Sequence, residues 1–215
     1  MKILLTGGSG LLGKSLLPLL KQRDGDGTLY PRIEVDAPSS KELDITKPIT
    51  RGEYDLIIHS AAYTDVVRAE KDRDECFNVN VVGTENLVDT YKDVPFVYIS
   101  SEYAHNPVNH YSNTKWLGEL VAMQAKCLVI RTLFKPKPFP YLKAFSDQYT
   151  QGDYVEVIAP LIVGAIFNWL GKESDLVYVG TGRKTIFELA KQTNPDVLPA
   201  SVDDITSVKL PKDYE

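Results

Sequence analysis

The chain has 215 residues, 43% of them hydrophobic, and its 24 basic and 29 acidic side chains leave a net charge of −5. A protein of this size hides roughly 70% of the surface its unfolded chain exposes, enough for one well-packed domain with a small appendage. The acidic balance, with no basic run interleaved with aromatics, excludes the footprint of a phosphate-backbone binder, so no nucleic acid partner is expected.

Lys2 to Thr6 is a short apolar run ending in glycines, the pattern of a buried parallel strand. Leu11 to Gln22 carries leucines at helical spacing and is followed by the turn signal Asp24-Gly25-Asp26-Gly27. A second strand is expected from about Leu29 to Val35, stopping at Asp36-Ala37-Pro38. Two more strands follow, Asp55 to His59 and Phe96 to Ser100. Between them a long helix, about Arg73 to Tyr91, carries Phe77, Val81 and Leu87 on one side. A helix from about Tyr111 to Gln124 leads to a strand from Cys127 to Arg131. Apolar, unalternating strands separated by helices predict an α/β, Rossmann-type doubly wound parallel sheet covered on both faces.

The chain then changes character. Lys135 to Pro140 is proline-rich and reads as a loop. Beyond it come a helix from Leu161 to Leu170, a strand from Leu176 to Val179 and a helix from Thr185 to Gln192. The expected division is a nucleotide-binding part with the catalytic residues, 1–134, and a small C-terminal substrate-binding region, 135–215, packed on it and walling off a pocket.

Thr6-Gly7-Gly8-Ser9-Gly10-Leu11-Leu12-Gly13 is the strongest local motif. Gly7 permits the tight turn, Gly10 lets a pyrophosphate approach the backbone, and Gly13 lets helix pack close on strand. The helix start adds free N–H groups and the positive end of its dipole. Ser9, Leu11 and Leu12 lie on this loop and are expected at the cofactor. The acid that binds the adenosine ribose hydroxyls about 20 residues on is best matched by Asp36. Ser39, Ser40 and Lys41 follow at once and suit a 2′-phosphate instead, so both NAD and NADP stay open as cofactor.

Tyr111 and Lys115 are four residues apart and share a helix face. A neighbouring ammonium stabilises a phenolate, so Lys115 is expected to lower the Tyr111 pKa and suit it to proton transfer. Ser101, at the end of the preceding strand, is placed to hydrogen-bond a substrate oxygen as charge develops there.

Together these residues resemble the extended short-chain dehydrogenases, and among them the dTDP-4-dehydrorhamnose reductase family of sugar-nucleotide reductases. Further segments carry the resemblance. Glu42-Leu43-Asp44-Ile45-Thr46 is similar to that family's adenine-pocket segment, which implies cofactor contacts for Asp44 and Ile45. His59-Ser60-Ala61-Ala62-Tyr63-Thr64-Asp65 resembles a strand-end motif that brings Ser60, Ala61 and Ala62 to the cofactor. Asn78-Val79-Asn80 matches a helix whose second Asn is structurally important. Ile99-Ser100-Ser101-Glu102-Tyr103 resembles the catalytic strand end, and Val179 to Thr185 a looser C-terminal motif. The resemblance implies hydride transfer from NADH or NADPH to C4 of a nucleotide-linked 4-keto-6-deoxy sugar. Tyr111 is then the proton donor, Lys115 holds the nicotinamide ribose, and Ser101 orients the carbonyl.

The chain departs from that pattern in length. Only nine residues, Glu102 to His110, separate Ser101 from Tyr111, where the family has a longer loop over the substrate. A trimmed pocket suits a smaller or differently placed substrate, or one completed by a partner subunit. Two other readings stand beside reduction. An epimerase or dehydratase would use acids beside the catalytic Ser, and Glu102 alone partly fits. A dinucleotide-sensing regulatory subunit would fit the short loop but not the intact trio. By fold analogy a homodimer is expected.

The remaining candidates have plainer readings. Cys76 and Cys127 form no CxxC pair, and His59, His105 and His110 have no ligand spacing, so no metal is expected. His59 reads as a satisfied, partly buried side chain, His105 and His110 as loop residues, and Trp116 and Trp169 as packing. Cys127 reads as a small core residue. Arg131 suits a diphosphate or an ion pair equally. No signal peptide and no apolar run of about 18 residues appear, so a cytoplasmic protein with no membrane partner is expected.

Overall fold

The computed structural model of this chain describes residues 1–22 and 32–214. In chain order, β1 (Lys2–Thr6), α1 (Leu11–Gln22), β2 (Glu34–Asp36) and β3 (Leu56–His59) come first. The predicted helix from Arg73 to Tyr91 is three pieces: α2 (Arg73–Phe77), a π-helical turn (Asn78–Val82) and α3 (Gly83–Tyr91). β4 (Phe96–Ser101), α4 (His110–Ala122) and β5 (Cys127–Thr132) follow. Four short strands come next: β6 (Phe134–Lys135), β7 (Lys143–Phe145), β8 (Tyr149–Thr150) and β9 (Asp153–Tyr154). The chain continues with α5 (Val155–Trp169), β10 (Asp175–Tyr178), β11 (Lys184–Thr185), α6 (Ile186–Lys191) and β12 (Leu198–Ala200).

Among the described residues, six strands form one parallel sheet in the order β2-β1-β3-β4-β5-β10. Alternate residues of each strand bury against opposite layers, which is why the strands read as unbroken apolar runs. Ile3, Leu5, Ile58, Val97, Ile99 and Ile130 pack against Leu12, Leu16 and Leu20 of α1 and the inner face of α5. Leu4, Ile57, Phe96, Tyr98 and Val129 pack against Leu87, Val88 and Tyr91 of α3 and Ala122 of α4. Each Leu or Ile so buried contributes about 1.5–3 kcal/mol.

β1 lies between β2 and β3, so the chain leaves it on one side and returns on the other. This reversal opens a crevice at the carboxyl ends of β1 and β3, where doubly wound sheets bind ligands.

Three elements differ from expectation. β2 begins at Glu34, where pairing with Lys2 begins; the predicted residues 29–31 and the turn Asp24–Gly27 lie outside the described residues. α5 begins at Val155 rather than Leu161. Pro160 looks like a helix start because proline suits the first helical position. Here it sits in the second turn on the exposed side, and burial of Val155, Ile158, Ala159, Ile162 and Ile166 outweighs its cost of about 3 kcal/mol. The π turn interrupts a helix whose 3.6-residue periodicity gave no sign of it; it buries Asn80 and Val81.

The sheet takes its sixth strand, β10, and one covering helix, α5, from beyond residue 134. The other C-terminal segments pair as β6–β9, β7–β12 and β8–β11 around Phe139, Tyr154, Ile186, Leu189 and Val197. Thr185 caps α6 with its hydroxyl on Glu188 N, and the Glu188 carboxylate accepts from Thr185 N at 2.7 Å.

Candidate active site

The turn after β1 is built from backbone. Gly7 has φ +72°, and a Cβ there would lie 2.6 Å from Ala61 N, so only glycine fits. Gly10 N donates to Gly7 O at 2.9 Å and closes the turn. A Cβ on Gly13 would lie 2.2 Å from Gly7 O, so α1 can approach β1 this closely only with glycine there. The first N–H groups of α1, which no helix can pair internally, therefore open at the crevice.

The crevice is a cleft of about 600 Å³ that runs from this turn to the end of β4. Gly7, Ser9, Gly10, Leu11, Leu12 and Gly13 line one end; Ser40, Asp44 and Ile45 line the side after β2. Ser60, Ala61 and Ala62 follow β3 into it, and Ser101, Tyr111 and Lys115 line the other end. Gly turn, helix N-terminus and elongated cleft together form a cradle that fits a dinucleotide.

Asp36 and Ser39 do not line the cleft. Asp36 Oδ2 accepts from the Tyr54 hydroxyl at 2.5 Å, while Ser39 donates through N and Oγ to Glu42 Oε2 at 2.8 Å each. Both prefer near, well-aligned partners within the fold. Asp44 lines the cleft but accepts from Thr46 N and Oγ1 and pairs with Lys47 at 2.9 Å, which together hold its carboxyl at about 2. It shapes the loop.

His59 is fully buried and joins β1, β3 and α3. Thr84 Oγ1 donates to Asn80 O, so His59 Nε2–H donates to Thr84 Oγ1 at 3.1 Å and the Thr6 hydroxyl donates to Nδ1 at 2.7 Å. Burial drives its pKa down to about 3, which keeps it neutral. Asn80 binds Tyr63 N and O and Thr114 Oγ1, tying the strand-end segment after β3 to α4.

At the other end, Asn109 caps α4 through Ser112 N at 2.8 Å and so sets where Tyr111 enters the cleft. Burial pushes the Tyr111 phenol up to about 12, with the Ser101 hydroxyl pulling it down. Lys115 is not among the groups that pull the phenol down. Lys115 Nζ donates instead to Ile99 O at 2.8 Å and sits 4.2 Å from the Tyr98 ring centroid. Burial brings that ammonium down to about 7, against the opposing pull of Glu119 and Cys76. Desolvation outweighs pair attraction for both groups.

A buried ion pair holds this strand end. Arg131 grips Glu119 with Nε at 2.9 Å and a second nitrogen at 2.7 Å, and Ser100 Oγ donates to the same carboxylate. Arg131 also donates to Tyr178 OH and Ala104 O, so it is an ion-pair residue and does not line the cleft. Glu102 is buried away from the cleft, accepting from Thr150 Oγ1 at 2.6 Å and Gln151 N at 3.0 Å. His105 bonds Tyr178 OH, and His110 meets Arg73 O and Glu70.

Sequence reasoning missed Thr64, Val66, Val79, Tyr103 and residues 132–135, all of which line the cleft. The signal was available for most: they follow the ends of β3, β4 and β5, the edge where parallel sheets place ligands. Among the described residues no cluster of three metal-ligating side chains occurs, and no helix is long and apolar enough to cross a membrane.

Known proteins are similar to this chain. The chain is 30% identical over 155 residues to a dTDP-4-dehydrorhamnose reductase of Aggregatibacter actinomycetemcomitans, covering 61% of this chain and 50% of that protein. It is 28% identical over 155 residues to a GDP-6-deoxy-D-talose 4-dehydrogenase of the same organism, covering 63% and 52%. The chain thus spans about half the length of such curated relatives. A solved dTDP-4-dehydrorhamnose reductase from Clostridium acetobutylicum superposes with a TM-score of 0.82 at 22% identity, covering 100% of this chain and 89% of that one. One from Bacillus anthracis, solved in complex with NADP, gives 0.78 at 25% identity, with 99% and 89% covered. Residues 1–162 match the family described as the RmlD substrate binding domain, and this chain belongs to that family.

Proposed function

We propose that the chain is an NAD(P)H-dependent reductase of a nucleotide-linked 4-keto-6-deoxy sugar. The observation that carries this reading is the single cleft lined at one end by the glycine turn and at the other by Ser101, Tyr111 and Lys115. When bound in its reduced form, NADPH or NADH, the cofactor would supply the hydride that the C4 carbonyl accepts. The glycine turn and the first N–H groups of α1 hold its diphosphate, and the segments at 40–46 and 60–62 enclose the nucleoside.

Ser101 hydrogen-bonds the substrate carbonyl and orients it. Tyr111 gives its proton to the oxygen as negative charge builds there; a phenol kept protonated by burial is ready to do so. Lys115 holds the nicotinamide ribose. Residues 133–135, after β5, form the substrate wall of the cleft. Reduction is favoured over dehydration because Glu102, the acid beside Ser101, is engaged by Thr150 and Gln151. Two copies pair through α4, whose exposed Trp116 and Leu120, with Met123 at its C-terminal cap, follow helical spacing. Sedimentation of wild type against Leu120→Lys tests that pairing.

The test of function is NADPH and NADH oxidation with dTDP-4-dehydrorhamnose, in wild type and Tyr111→Phe. Turnover in wild type that collapses in the variant supports the reading. Turnover undiminished in Tyr111→Phe sinks the mechanism. Dinucleotide binding with no turnover moves the weight to a sensing role.

A further inference from the structure

Three charged residues line the cleft among those described: Asp44, Lys115 and Lys135. Asp44 is occupied by Thr46 and Lys47, and Lys115 by Ile99 O. Lys135 differs. Its backbone is fixed in β6, in register with Tyr154 of β9, one strand step beyond the end of β5. The side chain is half-buried, yet among the described residues no carboxylate or other acceptor meets its ammonium. The acid beside its register partner, Asp153, directs its carboxylate to Thr181 Oγ1 at 2.6 Å and to Lys184. Burial alone lowers the Lys135 pKa, with no charge opposing it.

A cation withdrawn from water without a partner is costly, and proteins keep one chiefly where a ligand supplies the missing charge. We propose that Lys135 is an anion anchor of this cleft, its ammonium donating to a diphosphate oxygen of the bound ligand. The inference rests on the function proposed above. That chemistry has two sources there, the diphosphate of a nucleotide sugar and that of the dinucleotide. A lysine serves either as a point charge and does not need the planar fork of arginine. Because the site is incomplete without ligand, Lys135 carries a stability penalty that a neutral residue would relieve.

The experiment is calorimetric titration of dTDP and, separately, of NADP into wild type, Lys135→Gln and Lys135→Arg at low and high salt. The expected result is a loss of roughly tenfold to a hundredfold in affinity for one ligand in Lys135→Gln, as for a lost charge-assisted hydrogen bond. Lys135→Arg stays within a few-fold of wild type, and Lys135→Gln binds with a shallower salt dependence. Weakened dTDP binding assigns the anchor to the substrate diphosphate; weakened NADP binding assigns it to the cofactor. Thermal melting of Lys135→Gln at or above the wild-type midpoint supports the unpaired cation and shows that the variant folds. Unchanged affinity for both ligands in Lys135→Gln would overturn the anchor while leaving the reductase reading intact. Wild type that binds neither overturns both.

Discussion

The two ends of the cleft are made of different material. The glycine-turn end is backbone: Gly7 at positive φ, Gly13 against Gly7 O, and the open start of α1. The Tyr111 end is buried side chains whose chemistry depends on what surrounds them: Tyr111 raised by burial, Lys115 lowered by it, and Arg131 locked to Glu119 beneath them. Backbone geometry is local and tolerates no substitution at its tight points. Side-chain chemistry is set over long sequence distances, and single substitutions there change protonation or stability without closing the cleft.

The largest effect should come from Tyr111→Phe, which removes the proposed proton donor and leaves the glycine turn untouched. Turnover is expected to fall by about 10²- to 10⁴-fold while NADPH affinity changes little, read by steady-state kinetics and titration. Equal losses of binding and turnover would erase the distinction between the ends.

Next is the buried pair. Arg131→Met strands the Glu119 carboxylate, which is only 3% exposed at its side chain, and is expected to cost about 3–5 kcal/mol in urea unfolding. The double variant Arg131→Met, Glu119→Leu should recover much of that. If it does not, the pair is positioning the strand end by more than charge.

Lys115 gives a pH signature. Its folded pKa, about 7, lies below the usual 10.5, so between these values the unfolded chain binds more protons. Stability from this group therefore rises with pH across that window; its penalty is complete below about pH 7 and gone above the unfolded value. Lys115→Met should gain on wild type in melting temperature at pH 6, and the gap should narrow towards pH 10. A gap independent of pH would show that Lys115 titrates normally.

The smallest expected effect is at the adenine side. Tyr54→Phe releases the Asp36 carboxylate from its hydrogen bond and should shift the ratio of NADH to NADPH affinity by only a few-fold towards NADH. A shift of a hundredfold would make Asp36 the cofactor selector after all.

Much of this molecule was legible before folding, for stated reasons. The strands at 2–6, 56–59, 96–101 and 127–132 are apolar on both faces, so short runs announced a covered parallel sheet. Glycine spacing encodes a backbone shape directly, and the i, i+4 relation of Tyr111 and Lys115 is a property of any helix. The π turn at 78–82 was not legible, because it is stabilised by what Asn80 meets in α4 and after β3. Nor was α5 upstream of Pro160, where packing overrides a local breaker.

By itself the sequence determined the sheet, the turn after β1 and the order of the cleft-lining segments, since these follow from periodicity and from glycine's missing Cβ. Only the tertiary structure decided that Asp36 is met by Tyr54 and Ser39 by Glu42 outside the cleft, that Arg131 is consumed by Glu119, and that Lys135, among the described residues, stands in the cleft without a partner. Hydrogen bonds and charges choose among partners brought close by folding, and that choice is not written in any local spacing.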